Sequence, residues 1–153
     1  MEIKIQPALI DDLKQILQLQ NDCYQSEAKI YANFDIPPLT QSLKSLEEDF
    51  NRQTILKAEL GGKPVASVRA FRENGTCFIG RLIVKEDFQN RGIGRKMIKA
   101  IEAVFSDCYR YELFTGFKSV KNLNLYHKLG YREFKRHKEN EKLTIVFLEK
   151  IKR

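Results

Sequence analysis

IGRLIVKEDFQNRGIGRKMIKAIE, residues Ile79–Glu102, passes from a β-strand through a glycine-punctuated turn into an amphipathic helix. Leu82, Ile83 and Val84 form a short apolar run, and Ile93, Met97, Ile101 and Val104 recur at helical spacing. Between them stand Gln89, Asn90, Arg91, Gly92 and Gly94. Two glycines there allow a tight turn and close approach of backbone to a ligand, and free N–H groups at a helix start take up an oxyanion. Arg91, Arg95 and Lys96 add positive charge, so the turn has the composition of a phosphate cradle. It is not a dinucleotide fingerprint, which needs a third glycine where this chain has Met97, and it lacks the Gly-Lys-Ser/Thr of a P-loop.

What fits is Gln-x-x-Gly-x-Gly at 89–94, followed downstream by NLYHKLGY at Asn124–Tyr131. In these two motifs the chain resembles the GNAT superfamily of N-acetyltransferases, whose members hold the pyrophosphate of acetyl-CoA on the first of them. The resemblance extends in element order over nearly the whole chain. It implies an α/β (α+β) fold in one domain, 1–153, with a mixed, mostly antiparallel sheet that contains a splayed parallel pair of strands.

Residue by residue the order reads β-α-α-β-β-β-α-β-α-β-β. Ile3 and Ile5 alternate in a strand over Glu2–Gln6 that Pro7 ends, and Asp11 or Asp12 caps a helix running to about Cys23 with Leu13, Ile16, Leu17 and Leu19 on its apolar face. Ser26–Leu39 reads as an irregular, aromatic-rich loop, because Pro37 and Pro38 forbid helix continuation; it is either an acceptor-site wall or a loop pinned by its rings. Thr40 or Ser42 begins a helix through Phe50. Thr54–Leu60, Lys63–Arg72 and Thr76–Val84 form successive strands joined at Gly61-Gly62 and Asn74-Gly75. A helix over Arg91–Asp107 leads right-handedly to a parallel strand at Tyr111–Phe117. A short helix, Lys121–Leu129, precedes strands at Tyr131–Lys138 and Lys142–Ile151.

Composition narrows the class. With 153 residues, 42% hydrophobic and 31% charged, the chain suits one globular domain that buries roughly two-thirds of its unfolded surface. The beginning, MEIKIQPALIDD, has no signal-peptide pattern, and no apolar run approaches a membrane span, so a cytoplasmic protein without a membrane partner is expected. Cys23, Cys77 and Cys108 are too scattered for a disulfide framework, and with only His127 and His137 no metal is expected. The first 50 residues hold 4 lysines and arginines against 9 carboxylates, a net of −5, so with a total of +7 the remainder carries +12. Such a field suits a polyanion, and CoA is one. The basic residues are scattered without a reader motif, so nucleic acid is not an expected partner.

Transfer of an acyl group from a thioester to an amine needs a neutral amine, stabilisation of the tetrahedral oxyanion and a hydrogen-bond donor for the leaving thiolate. The resemblance gives the last task to Tyr126; helical spacing from Leu123 and Leu129 equally allows a packed core ring. It assigns acetyl-CoA to Leu82, Ile83 and Val84, through main-chain bonds of Leu82 and Val84 to the pantetheine arm, and to Gln89, Asn90, Arg91, Gly92, Ile93, Gly94 and Arg95. Asn122, Leu125 and Lys128 complete that set. Many relatives carry Asn and Ala seven and four residues before the tyrosine, where this chain has Ser119 and Asn122; the shared amide favours Asn122 for the Asn role. Lys128 meets a CoA phosphate or is simply solvated. Glu112, Glu73 and Asp35 are the candidate bases, none singled out by spacing.

The resulting expectation is an acetyl-CoA-dependent N-acetyltransferase using direct attack by a primary amine, on a small molecule or a peptide, with a homodimer compatible. The acidic first third leans toward a cationic small amine. A non-catalytic acyl-CoA-binding or regulatory module is the alternative.

Overall fold

The computed structural model describes residues 2–152. Its strands are β1 (Lys4–Pro7), β2 (Thr54–Leu60), β3 (Lys63–Glu73), β4 (Thr76–Val84), β5 (Arg110–Gly116), β6 (Arg132–Lys138) and β7 (Thr144–Ile151). The helices are α1 (Leu13–Tyr31), the single turn α2 (Pro37–Thr40), α3 (Leu43–Arg52), α4 (Ile93–Val104) and α5 (Val120–Lys128). The strands make one seven-stranded sheet in the order β1-β2-β3-β4-β5-β7-β6, antiparallel except for the β4/β5 pair.

Alternation along the strands sorts side chains between the two faces. Leu56, Val68, Ala70, Cys77, Ile79, Tyr111, Leu113, Val146 and Leu148 join Ile93, Met97, Ile98 and Ile101 of α4 in the main core. Ile55 meets Leu13, Ile16 and Leu46 of α1 and α3 on the opposite side. The buried stripe of α4 continues through Phe105, whereas Val104, which the spacing places on it, is exposed. Both dipeptide turns hold left-handed backbone, with φ of 58° and 80° at Gly61-Gly62 and 51° and 78° at Asn74-Gly75, as two-residue hairpins require.

Several expectations change. Pro7 lies inside β1, opposite Leu56, because this is an edge strand on which a missing N–H is tolerated. The first helix does not stop near Cys23 but runs to Tyr31, where Ala32 caps it in left-handed conformation at φ 50°. Pro37 and Pro38 start a helical turn at its first two positions, where their absent N–H groups are not needed. Ser42 caps α3 by accepting from the Ser45 N–H at 3.1 Å. The glycine turn stays outside α4, which begins at Ile93 with Gly92 as its N-cap.

Two irregularities shape the sheet centre. The β4/β5 ladder runs only through Thr76–Arg110, Cys77–Tyr111 and Phe78–Glu112, and beyond it the parallel strands separate. In β4 an extra residue opens a bulge opposite Ser67–Arg69, with Arg81 at φ 50°. A left-handed arginine costs conformational energy and turns its side chain away from the regular alternation.

Candidate active site

Two clefts meet where the strands separate. One, of about 630 Å³, takes Leu82, Ile83 and Val84 from β4 and Gln89, Asn90, Gly92, Ile93, Gly94 and Arg95 from the turn and the start of α4. Asn122 and Leu125 of α5 close it. The Gln89 amide donates to the Val84 carbonyl at 2.9 Å, which folds the turn back onto the strand end. Asn90 and Gly92 are both left-handed, at φ 63° and 80°. The first helical bond of α4 runs from the Lys96 N–H to the Gly92 carbonyl, so the N–H groups of Ile93, Gly94 and Arg95 have no intrahelical partner. A Cβ on Gly94 would stand 3.3 Å from the Leu125 side chain, inside the space the cleft needs. Backbone donors, a glycine-cleared approach and Arg95 together suit a pyrophosphate.

Arg91 and Lys128 do not border this cleft. Arg91 is exposed and lies over the Phe88 ring at 5.4 Å, and Lys128 faces solvent in the last turn of α5. Cys23, absent from the expected set, does border it. Its thiol donates to the Val84 carbonyl at 3.4 Å, and burial, reinforced by Asp22, pushes it up to about 11, so it stays protonated at neutral pH.

The second cleft, of about 450 Å³, lies on the α1 face of the sheet and includes Tyr126, which is 5% exposed. The Tyr126 ring packs 6.1 Å from Tyr131, whose hydroxyl donates to Glu102 at 2.7 Å and so fixes the end of α5. Burial pushes the Tyr126 hydroxyl well above the usual tyrosine range, with Tyr24 and Glu27 adding to the shift, and no hydrogen bond engages it among the described residues. It is therefore a donor throughout the neutral range. Packed ring and competent donor coexist in one residue.

Ser119 and Asn122 separate cleanly. The Lys118 N–H donates to the Tyr31 hydroxyl at 2.9 Å, Tyr31 and Ser119 hydroxyls share a 2.9 Å bond, and Ser119 donates to Glu27 at 2.8 Å. Ser119 is thus buried and engaged. Asn122 borders both clefts, held by one 3.3 Å donation to Thr115. Gly116 is required beneath this relay, since a Cβ there would overlap the Tyr31 ring.

Of the candidate bases, Glu112 borders the second cleft but is ion-paired with Arg110 at 2.9 Å, and Glu73 and Asp35 border neither cleft. Glu27 borders both. It is missed in sequence because the first helix is ended too early. A signal was present: no Gly or Pro interrupts residues 13–36, and Gln20, Tyr24, Glu27 and Tyr31 follow at four, three and four residues, a single helical face. Tyr24 also borders both clefts; burial pushes its hydroxyl up to about 12, against the guanidinium of Arg81.

Among the described residues no group of three or more His, Cys, Asp or Glu is placed to hold a metal ion, and no helix is long and apolar enough to cross a membrane.

The acetyltransferase (GNAT) family model matches residues 13–131. Solved structures of the same architecture include the PaiA N-acetyltransferase of Thermoplasma acidophilum in complex with coenzyme A, with a TM-score of 0.82, 14% identity and 99% of each chain covered. The ribosomal-protein-S18-alanine N-acetyltransferase of Escherichia coli superposes with a TM-score of 0.81 at 14% identity, over 99% of this chain and 96% of that one. An acetyltransferase of the GNAT family from Staphylococcus aureus Mu50 gives 0.80 at 18% identity, over 99% and 100%. No curated protein matches the chain in sequence.

Proposed function

Because the chain belongs to the acetyltransferase (GNAT) family, we propose that it transfers the acetyl group of acetyl-CoA to a primary amine by direct attack within a ternary complex. The observation that carries this reading is the junction of the two clefts at Tyr24, Glu27, Leu82 and Asn122, where the parallel strands part. One cleft has the donors for a pyrophosphate, the other is a largely apolar space, and a thioester at the junction is reachable from both. Main-chain groups of Leu82, left without β5 partners, suit the amides of a pantetheine arm, whereas the Val84 carbonyl already accepts from Gln89 and Cys23.

In the transfer, the amine nitrogen forms a bond to the thioester carbonyl carbon, the C–S bond breaks, and the nitrogen gives up a proton. The sulfur receives a proton or hydrogen bond from Tyr126. Glu27 is the carboxylate placed to accept the proton from the amine. The high Cys23 thiol argues against a covalent acyl-cysteine, since the thiolate is the nucleophile and is scarce when the thiol titrates at about 11. Release of CoA thiol from acetyl-CoA, measured over a broad amine panel, is the test. Amine-dependent release supports catalysis, and tight CoA binding without release under any amine would return the chain to a non-catalytic acyl-CoA-binding module.

A further inference from the structure

The wall of the second cleft contains Glu27, Asp49, Arg69, Arg81 and Glu112 as its charged groups. Asp49 is paired with Arg69 at 2.9 Å, and Glu112 with Arg110 at 2.9 Å. Glu27 and Arg81 remain, and among the described residues no ion pair engages either, with each other or with a third group. Both charges act on the Tyr24 hydroxyl, Glu27 from the junction and Arg81 from the wall of the second cleft.

Arg81 is held in place rather than neutralised. It donates to the Gln41 amide oxygen at 2.9 Å. Gln41 in turn donates to Asp49 at 2.7 Å and accepts from Gln20 at 3.0 Å, and Gln20 accepts from Arg69 at 2.7 Å. Arg69 is 3% exposed and its Nε has no hydrogen-bond partner. Burial first, and the nearby charge of Arg81 second, push its guanidinium down to about 10. Asp49 is taken by Arg69, so among the described residues the Arg81 guanidinium has a hydrogen-bonded position but no carboxylate of its own, and Glu27 has no cation of its own. An unpaired guanidinium favours an incoming carboxylate, and an unpaired carboxylate an incoming ammonium. The apolar part of the cleft includes two aromatic pairs: Phe71 and Phe78 stack at 5.2 Å, and Phe114 and Phe147 lie 5.6 Å apart.

We propose that the acceptor is a free α-amino acid with an apolar side chain. Its carboxylate meets Arg81, its amine lies at Glu27 beside the thioester, and its side chain rests on the aromatic floor. This rests on the acetyl-transfer reading of the site. It reverses the lean toward a cationic acceptor drawn from the acidic first third of the chain: of those carboxylates only Glu27 and Asp49 border the cleft, and Asp49 is already engaged by Arg69.

The test uses the full chain with acetyl-CoA and two matched trios, phenylalanine with its amide and phenethylamine, and leucine with its amide and isopentylamine. Thiol release is the readout. A charge-assisted contact corresponds to a preference in kcat/KM for the free acid of roughly 10- to 100-fold. Arg81→Gln should collapse that preference toward unity and Arg81→Lys should restore part of it; the wild-type comparison decides even if neither variant folds. Equal or better use of the amide or the plain amine would overturn the proposal while upholding acetyl transfer. A preference that survives Arg81→Gln would overturn the assignment of the carboxylate to Arg81. No thiol release with any amine, with CoA still bound, would overturn the acetyl-transfer reading and this inference with it.

Discussion

The two clefts differ in how the chain builds them. The CoA-side cleft takes its strand end and glycine turn from one contiguous run, Leu82 to Arg95, set between residues of α1 from Cys23 to Ile30 and the segment from Lys118 to Leu125. The acceptor-side cleft draws on the second half of α1, the Pro37-Pro38 turn, Asp49, Arg69, the Arg81 bulge, β5 and β7. Recognition of a pyrophosphate can be carried by backbone N–H groups, and the backbone geometry that exposes them is written locally in glycines. Recognition of an acceptor needs side chains converging from distant segments, and no local pattern encodes that.

The comparison is most sharply tested where the clefts join. Tyr126→Phe should lower kcat by roughly 10- to 1000-fold and change acetyl-CoA affinity only a few-fold, because a hydrogen bond to sulfur strengthens as charge develops there. Single-turnover rates check this once an acceptor is in hand, and equal rates would leave Tyr126 as a core ring. Glu27→Gln should cost about 10- to 100-fold in kcat/KM and flatten the acidic limb of the pH profile if Glu27 takes the amine proton. An unchanged profile with a raised KM would make it a positioning residue instead.

Within the CoA-side cleft, Gly94→Val should raise the CoA dissociation constant about ten-fold or more, since a Cβ already meets Leu125 at 3.3 Å and the extra methyls close the approach to phosphate. Calorimetry on the folded variant checks it. Gly92→Val is a poorer test, because φ 80° strains any branched side chain and affects the fold itself. Arg95→Ala should weaken CoA binding by about five-fold and reduce its salt dependence, while Arg91→Ala, outside the cleft wall, should do less.

A final, smaller effect concerns stability. Burial raises Cys23 to about 11 and Cys77 to about 12, above the ordinary value of 9.0. From about pH 9 upward the unfolded chain loses these protons while the folded chain keeps them, so stability present below that pH declines as pH rises toward the folded values. Each group contributes at most about 1.4 kcal/mol per pH unit. Denaturant midpoints at pH 8 and pH 10 should show the decline, and Cys23→Ala should make it shallower.

How much of this was legible in sequence follows the same division. Gly61-Gly62, Asn74-Gly75, the β4 run and the amphipathic α4 were readable because each is specified within a few residues. The second half of α1 has no breaker to end it, and Ser26–Tyr31 reads as loop only because its aromatic neighbourhood precedes two prolines. Arg69 and Arg81 stand in strand segments that carry no local mark of a site. Their hydrogen-bond partners Gln20, Gln41 and Asp49 lie far away in the chain. Around the cradle, Arg91 lies over Phe88 and Lys128 faces solvent, placements that composition does not distinguish from a position on the cleft wall.

Direct attack is the central claim, and it is tested most directly by mixing the protein with a stoichiometric amount of acetyl-CoA, first without and then with an accepted amine, and following thiol release and protein mass together. The account predicts no thiol release and no acetylated protein in the first mixture, then one thiol per amide formed in the second. Thiol release in the absence of amine, with the protein carrying the acetyl group on Cys23, would contradict it.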